Sequence, residues 1–149
     1  MKRLAFALVL AAFASSADAQ TPPSRQRLAP AEFDFSAAGS AGAGTSGIAA
    51  IQTIVLKGDP TKAGLYTIML RIPAGTRIAA HTHPDDRIGT VISGTWYFGY
   101  GPTFDAAALR ALPPGSFYTE PPSDPHFAET RESDVVLQIT GFGPTGTTY

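Results

Sequence analysis

The sequence predicts an all-β protein, built as one antiparallel barrel or sandwich with one short helix. The chain has 149 residues, about the size of one domain. It contains 15 Gly and 13 Pro, which is high for a helical bundle. Short β-branched and aromatic runs alternate with turn residues every 8–12 positions or so, the spacing typical of all-β folds. With 44% hydrophobic and only 15% charged residues, the composition excludes a disordered chain.

Each predicted strand is a β-branched or aromatic run that stops at Gly, Pro, Asp or Ser. Residues 48–56 end at a Lys-Gly-Asp-Pro turn, and residues 65–72 end at Pro-Ala-Gly. A third strand ends at His83, immediately before a proline. The remaining predicted strands are residues 88–93, 95–100, 116–119, 126–130 and 134–140.

One segment between these strands has helical rather than strand periodicity. Its apolar residues recur at helical spacing: Phe104, Ala108, Leu109 and Leu112. Thr103 is positioned to cap the first turn, and two prolines after Leu112 would end the helix. We therefore expect one short helix that covers the barrel.

The N-terminus has the order of a secretory signal peptide, which predicts export to the periplasm or the medium. Lys2 and Arg3 precede an apolar stretch at 4–14, and Ala-Asp-Ala at 17–19 forms a small-x-small cleavage site. The apolar stretch is too short to span a bilayer, which needs about 20 residues, and no later run is long enough either. We therefore assign residues 1–19 to the signal peptide.

The mature chain divides into two parts by composition. Residues 20–47 are small and weakly patterned and predict a flexible arm, in which Phe33 and Phe35 alternate and could add one edge strand. Residues 48–149 form the predicted β domain. Edge strands left unpaired in such a domain are templates for a second chain, and we expect a homodimer.

Charge and cysteine content exclude several classes of function. Lys and Arg number 11 against 12 Asp and Glu, a formal charge of −1, so nothing favours nucleic acid as a partner. The chain has no cysteine, which excludes disulfides, thiolate metal sites and cysteine nucleophiles. Only three histidines are present, so their placement is informative.

Two of the three histidines, His81 and His83, are separated by one residue on a predicted strand. Side chains two apart on a strand share one face and lie about 6–7 Å apart, because the rise is ~3.3 Å per residue. That spacing suits two ligands of one metal ion. The alternative is that each histidine is a hydrogen-bonded residue of the core or rim.

The spacing around the histidines resembles the two motifs of the cupin superfamily. The first series is Gly75, five residues, His81, one residue, His83, ten residues and Gly94. The second is Gly115, five residues, Pro121, one residue, Ser123, two residues and His126, with Ser123 where the motif usually has Gly. The chain is thus similar to small single-domain cupins over residues 48–142.

This resemblance implies a jelly-roll barrel with a metal centre inside it. All three histidines of the chain fall on the three His-ligand positions, so it implies that His81, His83 and His126 converge on a divalent metal. Neutral imidazoles suit Fe, Mn, Zn, Ni or Cu, and availability often decides among these metals.

The chain departs from the cupin pattern at the carboxylate ligand, which cupins commonly carry four residues after the second motif histidine. That position is Arg87, which cannot bind a metal. Asp86 would need a bulge or loop geometry to reach inward. Glu120 lies on the strand that should enter the site, and it is a candidate fourth ligand, a partner that orients a histidine, a general base, or a solvated rim acid.

Two further side-chain sets have open interpretations. Arg87 either binds a substrate carboxylate or balances the charge of the two aspartates before it. Aromatic residues alternate along two predicted strands, and one set must face the interior, as core or as a substrate pocket: Trp96, Tyr97, Phe98, Tyr100, Phe117 and Tyr118. The sequence does not decide whether Tyr97 or Tyr118 faces the pocket.

The function predicted from these residues is metal-dependent catalysis on a small molecule. Three-histidine cupins include dioxygenases, and an open three-histidine centre would support oxygenase, isomerase or lyase chemistry, with Glu120 as base and Arg87 as a substrate anchor. The alternative is a non-catalytic cupin that binds a small ligand or a metal. The missing motif carboxylate favours that alternative.

Overall fold

The computed structural model describes residues 24–36, 39–40 and 42–149. The predicted signal peptide, residues 1–19, lies outside this part of the chain. Two 3-10 helices span Pro30–Glu32 and Ala106–Ala108. The strands are β1 (Gly39–Ser40), β2 (Gln52–Lys57), β3 (Gly64–Ile72), β4 (Arg77–His81), β5 (Arg87–Ser93), β6 (Trp96–Tyr100), β7 (Arg110–Leu112), β8 (Phe117–Glu120), β9 (His126–Glu129) and β10 (Val135–Gly143).

The strands form two antiparallel sheets that face each other, which confirms the all-β, jelly-roll fold class. The larger sheet has the order β1-β2-β3-β10-β5-β8, and the smaller one has the order β4-β9-β6-β7. Within the described residues no strand pairing joins one sheet to the other, so the expectation of a closed barrel is wrong. The arrangement is a sandwich whose edge strands are β1 and β8 in the larger sheet and β4 and β7 in the smaller one.

The core lies between the sheets because alternate residues of each strand point inward. On β10, Val135, Leu137 and Ile139 are buried while the residues between them are partly exposed. They pack against side chains of the smaller sheet, among them Ile78 and Ala128. Among the described residues, no helix is long and apolar enough to span a membrane.

The helix expected around Phe104–Leu112 is wrong. The segment forms the three-residue 3-10 helix Ala106–Ala108, capped by the Asp105 carboxylate rather than Thr103, and then strand β7. Leu112 pairs with Trp96 on β6 and is buried as a strand residue. The apolar spacing was misleading because these residues do not share one helix face: Phe104 contacts Phe127, whereas Leu112 lies opposite Trp96. Pairing with β6 supplies backbone hydrogen bonds to this segment, and an isolated short helix is only marginally stable.

The segment before residue 48 contributes structure next to the core. Gly39–Ser40 forms the edge strand β1, so the edge strand is not formed by Phe33 and Phe35. Further along, Gly44 and Thr45 are buried. Thr45 accepts a hydrogen bond from the Thr147 hydroxyl at 2.6 Å, which ties residues 42–47 to the final residues of the chain.

Candidate metal centre

Three strand ends bring the histidines together. His81 ends β4 and is the direct cross-strand partner of His126, the first residue of β9, while His83 follows two residues after β4. All three are buried, and one ligand atom from each lies within 4.8 Å of the others. The three histidines that the sequence singled out therefore form one cluster.

Each imidazole is oriented by a backbone carbonyl. The Nδ1 atoms of His81, His83 and His126 lie 2.8, 2.5 and 3.0 Å from the carbonyl oxygens of Ala79, Gly146 and Asp124, respectively. A carbonyl only accepts, so these contacts place the proton on each Nδ1. For His83 the contact with Gly146 is shorter than the 3.3 Å contact of the same nitrogen with Arg87 Nη1, and we assign the proton by the shorter one. Each Nε2 therefore keeps its lone pair, the form in which histidine binds metals.

Two of the buried histidines, His81 and His83, are neutral at physiological pH. Burial lowers the pKa of His81 to about 4. Burial, together with the positive charge of Arg87, lowers the pKa of His83 to about 4 as well. A neutral imidazole needs no deprotonation before it binds a metal ion, so these two histidines are ready to accept one.

Glu120 adds a carboxylate to this cluster. Its Oε2 lies 3.7 Å from His83 Nε2 and 3.8 Å from His126 Nε2. Donors that share one ion through bonds of about 2.0–2.2 Å are roughly 3–4.4 Å apart, so these distances suit a common ligand. Burial favours the protonated form, but Arg87 and the histidines outweigh it and hold the pKa of Glu120 below its usual value.

Arg87 is buried beside Glu120 and not in an exposed charged loop. Its Nε lies 2.7 Å from Glu120 Oε2, and its Nη1 donates to the Gly44 carbonyl at 3.0 Å. The two aspartates before it have other surroundings. Asp85 accepts a 2.7 Å hydrogen bond from the Tyr66 hydroxyl, and Asp86 is exposed. Asp86 is therefore placed away from the cluster that Glu120 enters.

The unsatisfied polar atoms of the site fit a divalent metal. His83 Nε2, His126 Nε2 and Glu120 Oε2 are buried and have no hydrogen-bond partner, because the Arg87 contact is an ion pair with poor hydrogen-bond alignment. Buried polar atoms are rarely left without a partner. Imidazole nitrogens with one carboxylate oxygen are the donor types that Fe, Mn, Ni, Cu and Zn accept. These residues therefore fit the metal that the cupin resemblance implies.

The aromatic residues divide between the interior and the surface. Trp96, Phe98 and Tyr118 are buried and line the cavity next to the histidines. Tyr97 instead lies under the guanidinium of Arg131, 3.7 Å from the ring centroid to Cζ. Tyr118 is thus the tyrosine that faces the pocket, and burial raises its pKa well above the usual value, so that it keeps its proton.

A groove of about 460 Å³ lies outside this cavity, between β6, β7 and β8. Phe98 and Tyr118 line both the cavity and the groove, so their rings separate the histidine cluster from solvent on this side. Tyr100 and the exposed Phe117 also line the groove.

Residues 42–47 and 144–149 lie against the histidines, which the sequence alone did not indicate. The Ser46 hydroxyl lies 3.4 Å from His81 Nε2, and the ring of Tyr149 lies 5.4 Å from that of His81. The Tyr149 hydroxyl donates to the Ser46 carbonyl at 2.5 Å. Neither segment has a strand pattern or charged group that marks it as part of a site.

Comparison with solved structures identifies the fold. The DMSP lyase DddQ from Ruegeria pomeroyi DSS-3 matches with a TM-score of 0.57 and 19% identity, over 77% of this chain and 57% of that chain. Salicylate 1,2-dioxygenase from Pseudoaminobacter salicylatoxidans, as an adduct with gentisate, matches with a TM-score of 0.54 and 16% identity, over 68% and 29%. An RmlC-like cupin from Shewanella frigidimarina NCIMB 400 matches with a TM-score of 0.51 and 16% identity, over 62% of this chain and 76% of that chain.

These similarities confirm the resemblance to the cupins at the level of the fold. The chain spans 57% and 47% of the length of two matching DMSP lyase chains, about half. No family model and no curated protein matches the sequence. The structures that share the fold include a lyase and a dioxygenase.

Proposed function

We propose that this chain is an exported, metal-dependent cupin enzyme of the oxygenase, isomerase or lyase type that acts on a small molecule. The observation that carries the proposal is the convergence of three buried imidazoles and one buried carboxylate next to an aromatic-lined cavity. A cluster of this kind has a high desolvation cost unless a metal or ligand uses its lone pairs.

His81, His83 and His126 would hold the metal, with Glu120 as the fourth donor. A bound divalent metal would supply Lewis-acid or oxygen-activating chemistry. Glu120 is ionised, so it is able either to bind the metal or to accept a proton at Oε2. Arg87 is already engaged by Glu120 and by Gly44, which makes it a positioning residue for that carboxylate rather than an anchor for substrate.

The solved structures with this fold support a catalytic role. The lyase acts on DMSP, and the dioxygenase was crystallised with gentisate, so both bind small organic molecules. Both are less than 25% identical to this chain, so they indicate the kind of chemistry and not the substrate. The aromatic cavity and the adjoining groove are where we place the small molecule.

Metal content tests the proposal directly. Elemental analysis of the protein purified from its native compartment should give one divalent metal per chain, and His83→Ala should hold less than about a tenth of it. Asp86→Asn removes an exposed carboxylate outside the cluster and should hold as much metal as the wild type. Equal metal in His83→Ala and the wild type would refute the proposed centre.

The departure at Arg87 supports a second candidate, a cupin that binds a small ligand without converting it. An arginine at the usual carboxylate position is consistent with loss of catalysis. Incubation of the metal-loaded protein with small-molecule extracts, followed by mass spectrometry, separates the two. Product formed by the wild type and not by His83→Ala supports an enzyme, whereas a retained, unchanged ligand supports the binding protein.

Export and self-association are further parts of this proposal. The signal-like order at residues 1–19 supports export, which N-terminal sequencing of the mature protein tests. The outer face of the larger sheet exposes Leu65, Ile88 and Phe142 on the neighbouring strands β3, β5 and β10, an apolar row that supports a homodimer. Light scattering should show a dimer for the wild type and a monomer for Phe142→Ser.

A further inference from the structure

We propose that Trp96 and Tyr118 form an oxygen-binding subsite beside the histidine cluster, which takes a carbonyl or carboxylate oxygen of a small molecule. The identification of that molecule as the substrate rests on the proposed function. The subsite itself rests on the two side chains and on the cavity they line.

The first argument is that both side chains carry buried donors that have no acceptor. Trp96 is 4% exposed and Tyr118 is 6% exposed. The indole Nε1 and the phenolic oxygen are both buried and without a hydrogen-bond partner. An indole N–H only donates, so even a bond from Trp96 to the tyrosine oxygen would leave the O–H of Tyr118 unused. A buried donor without an acceptor costs free energy, and a ligand oxygen that accepts its hydrogen bond would remove that cost.

The second argument is that the position of Tyr118 is built into the sheet. Tyr118 is the direct cross-strand partner of Gly89, and a Cβ at Gly89 would lie 2.2 Å from Cζ of the tyrosine. The ring therefore lies across β5 in space that only glycine leaves free. On another side it contacts Phe98, with the ring centroids 4.6 Å apart. These contacts fix the direction of the hydroxyl.

The cavity limits the kind of ligand. Its volume is about 20 Å³ in this form, room for about one water molecule, so only one small polar group fits beside the donors. The rest of the wall combines polar groups of the cluster with aliphatic side chains: His81, Arg87, Glu120 and His126, and Ile51, Leu70, Ile72, Ile78, Leu137 and Ile139. One oxygen acceptor of a small molecule suits this volume, and a sugar with many hydroxyls does not.

Ligand binding at the subsite can be followed by fluorescence, because Trp96 is the only tryptophan of the chain. Formate, which is small and presents carboxylate oxygens, is titrated into the zinc-loaded protein while tryptophan emission is recorded. We expect a saturable change, and Tyr118→Phe should weaken the apparent affinity by about tenfold or more, since a hydrogen bond to a charged acceptor is lost.

Tyr97→Phe is the matched control, because it removes the same hydroxyl from a ring that lies outside the cavity. It should bind formate as the wild type does, and thermal unfolding should show that both variants are folded. Equal formate affinity in Tyr118→Phe and the wild type would overturn the proposal, as would the absence of any emission change in the wild type.

A failure of the metal centre remains distinguishable from a failure of the subsite. Zinc content is measured separately on each sample, and a wild type that holds no zinc contradicts the proposed function only. The same titration with formamide, which has a neutral carbonyl of similar size, then tests the subsite without a metal. Weaker formamide binding by Tyr118→Phe supports the subsite, and unchanged binding refutes it.

Discussion

Arg87 and Glu120 are direct partners across β5 and β8, and their side chains meet as a buried ion pair with Nε and Oε2 2.7 Å apart. Cupins commonly carry a metal-binding carboxylate at the position of Arg87. In this chain the carboxylate nearest the histidines comes instead from the opposite strand, as Glu120, and the arginine lies against it. Under the proposed function, Glu120 would take the place of the motif carboxylate.

This ion pair predicts a large and specific effect on stability. Arg87→Met would leave the Glu120 carboxylate buried without its counter-charge, so the metal-free protein should lose about 3–5 kcal/mol in its free energy of unfolding. The double variant Arg87→Met with Glu120→Met should recover much of that loss. Denaturant unfolding measures both.

The Arg71–Asp134 pair is the control for that experiment. It is also an arginine–carboxylate contact, at 2.9 Å, but both side chains are about half exposed. Because water screens such pairs, Arg71→Met should cost at most about 1 kcal/mol. Similar losses in the two arginine variants would contradict the interpretation of Arg87 as a charge-compensating residue.

Metal removal should lower the stability of the folded chain. A metal that binds only the folded state at a free concentration of 100 times its Kd adds about 2.7 kcal/mol to the free energy of unfolding. Zinc should therefore raise the Tm, and a chelator should reverse the change. His81→Ala should show neither effect, and Mg²⁺, which prefers oxygen ligands, should leave the wild-type Tm unchanged.

Gly89→Ala should destabilise the protein by crowding Tyr118. The new Cβ would overlap the tyrosine ring, and overpacking of this kind costs about 1–3 kcal/mol. Gly42→Ala is the control, since a Cβ there has no atom within 4 Å, and its effect should stay within about 0.5 kcal/mol. Chemical denaturation of the two variants measures the difference. A neutral Gly89→Ala would mean that the ring does not need this space.

The segment around Thr147 and Tyr149 should slow metal exchange. The two hydroxyls hold it against Thr45 and Ser46, over His81. Removing both, as Thr147→Ala with Tyr149→Phe, loses two bonds of about 1 kcal/mol each, so zinc should pass to a chelator about tenfold faster or more.

Thr76→Ala is the control for the exchange experiment. It also removes a hydroxyl hydrogen bond, to the Pro73 carbonyl in the turn before β4, and His81 lies at the other end of that strand. Its zinc release should match that of the wild type. An unchanged rate in the double variant would show that the segment does not limit access to the cluster.

Much of the fold and the ligand set followed from local patterns. Apart from β7, the strands from residue 64 onward lie close to their predicted bounds because alternating burial on a sheet leaves a period of two in the sequence. The three histidines were predicted as one cluster because their spacing resembles the cupin motifs. The helix predicted at residues 104–112 was wrong because part of this segment, β7, pairs with β6. That pairing is a tertiary contact, and the local periodicity of the sequence does not record it.

By itself, the sequence determined the all-β class, because strands leave residue types at short, regular spacing, and its resemblance to the cupin motifs implied that His81, His83 and His126 converge. Only the tertiary structure decided that Arg87 faces Glu120, that Tyr118 and not Tyr97 points inward, and that residues 42–47 and 144–149 cover the histidines. Each of these outcomes depends on which strands are neighbours and in which register. Those contacts join residues far apart in the chain, so they leave no local pattern in the sequence.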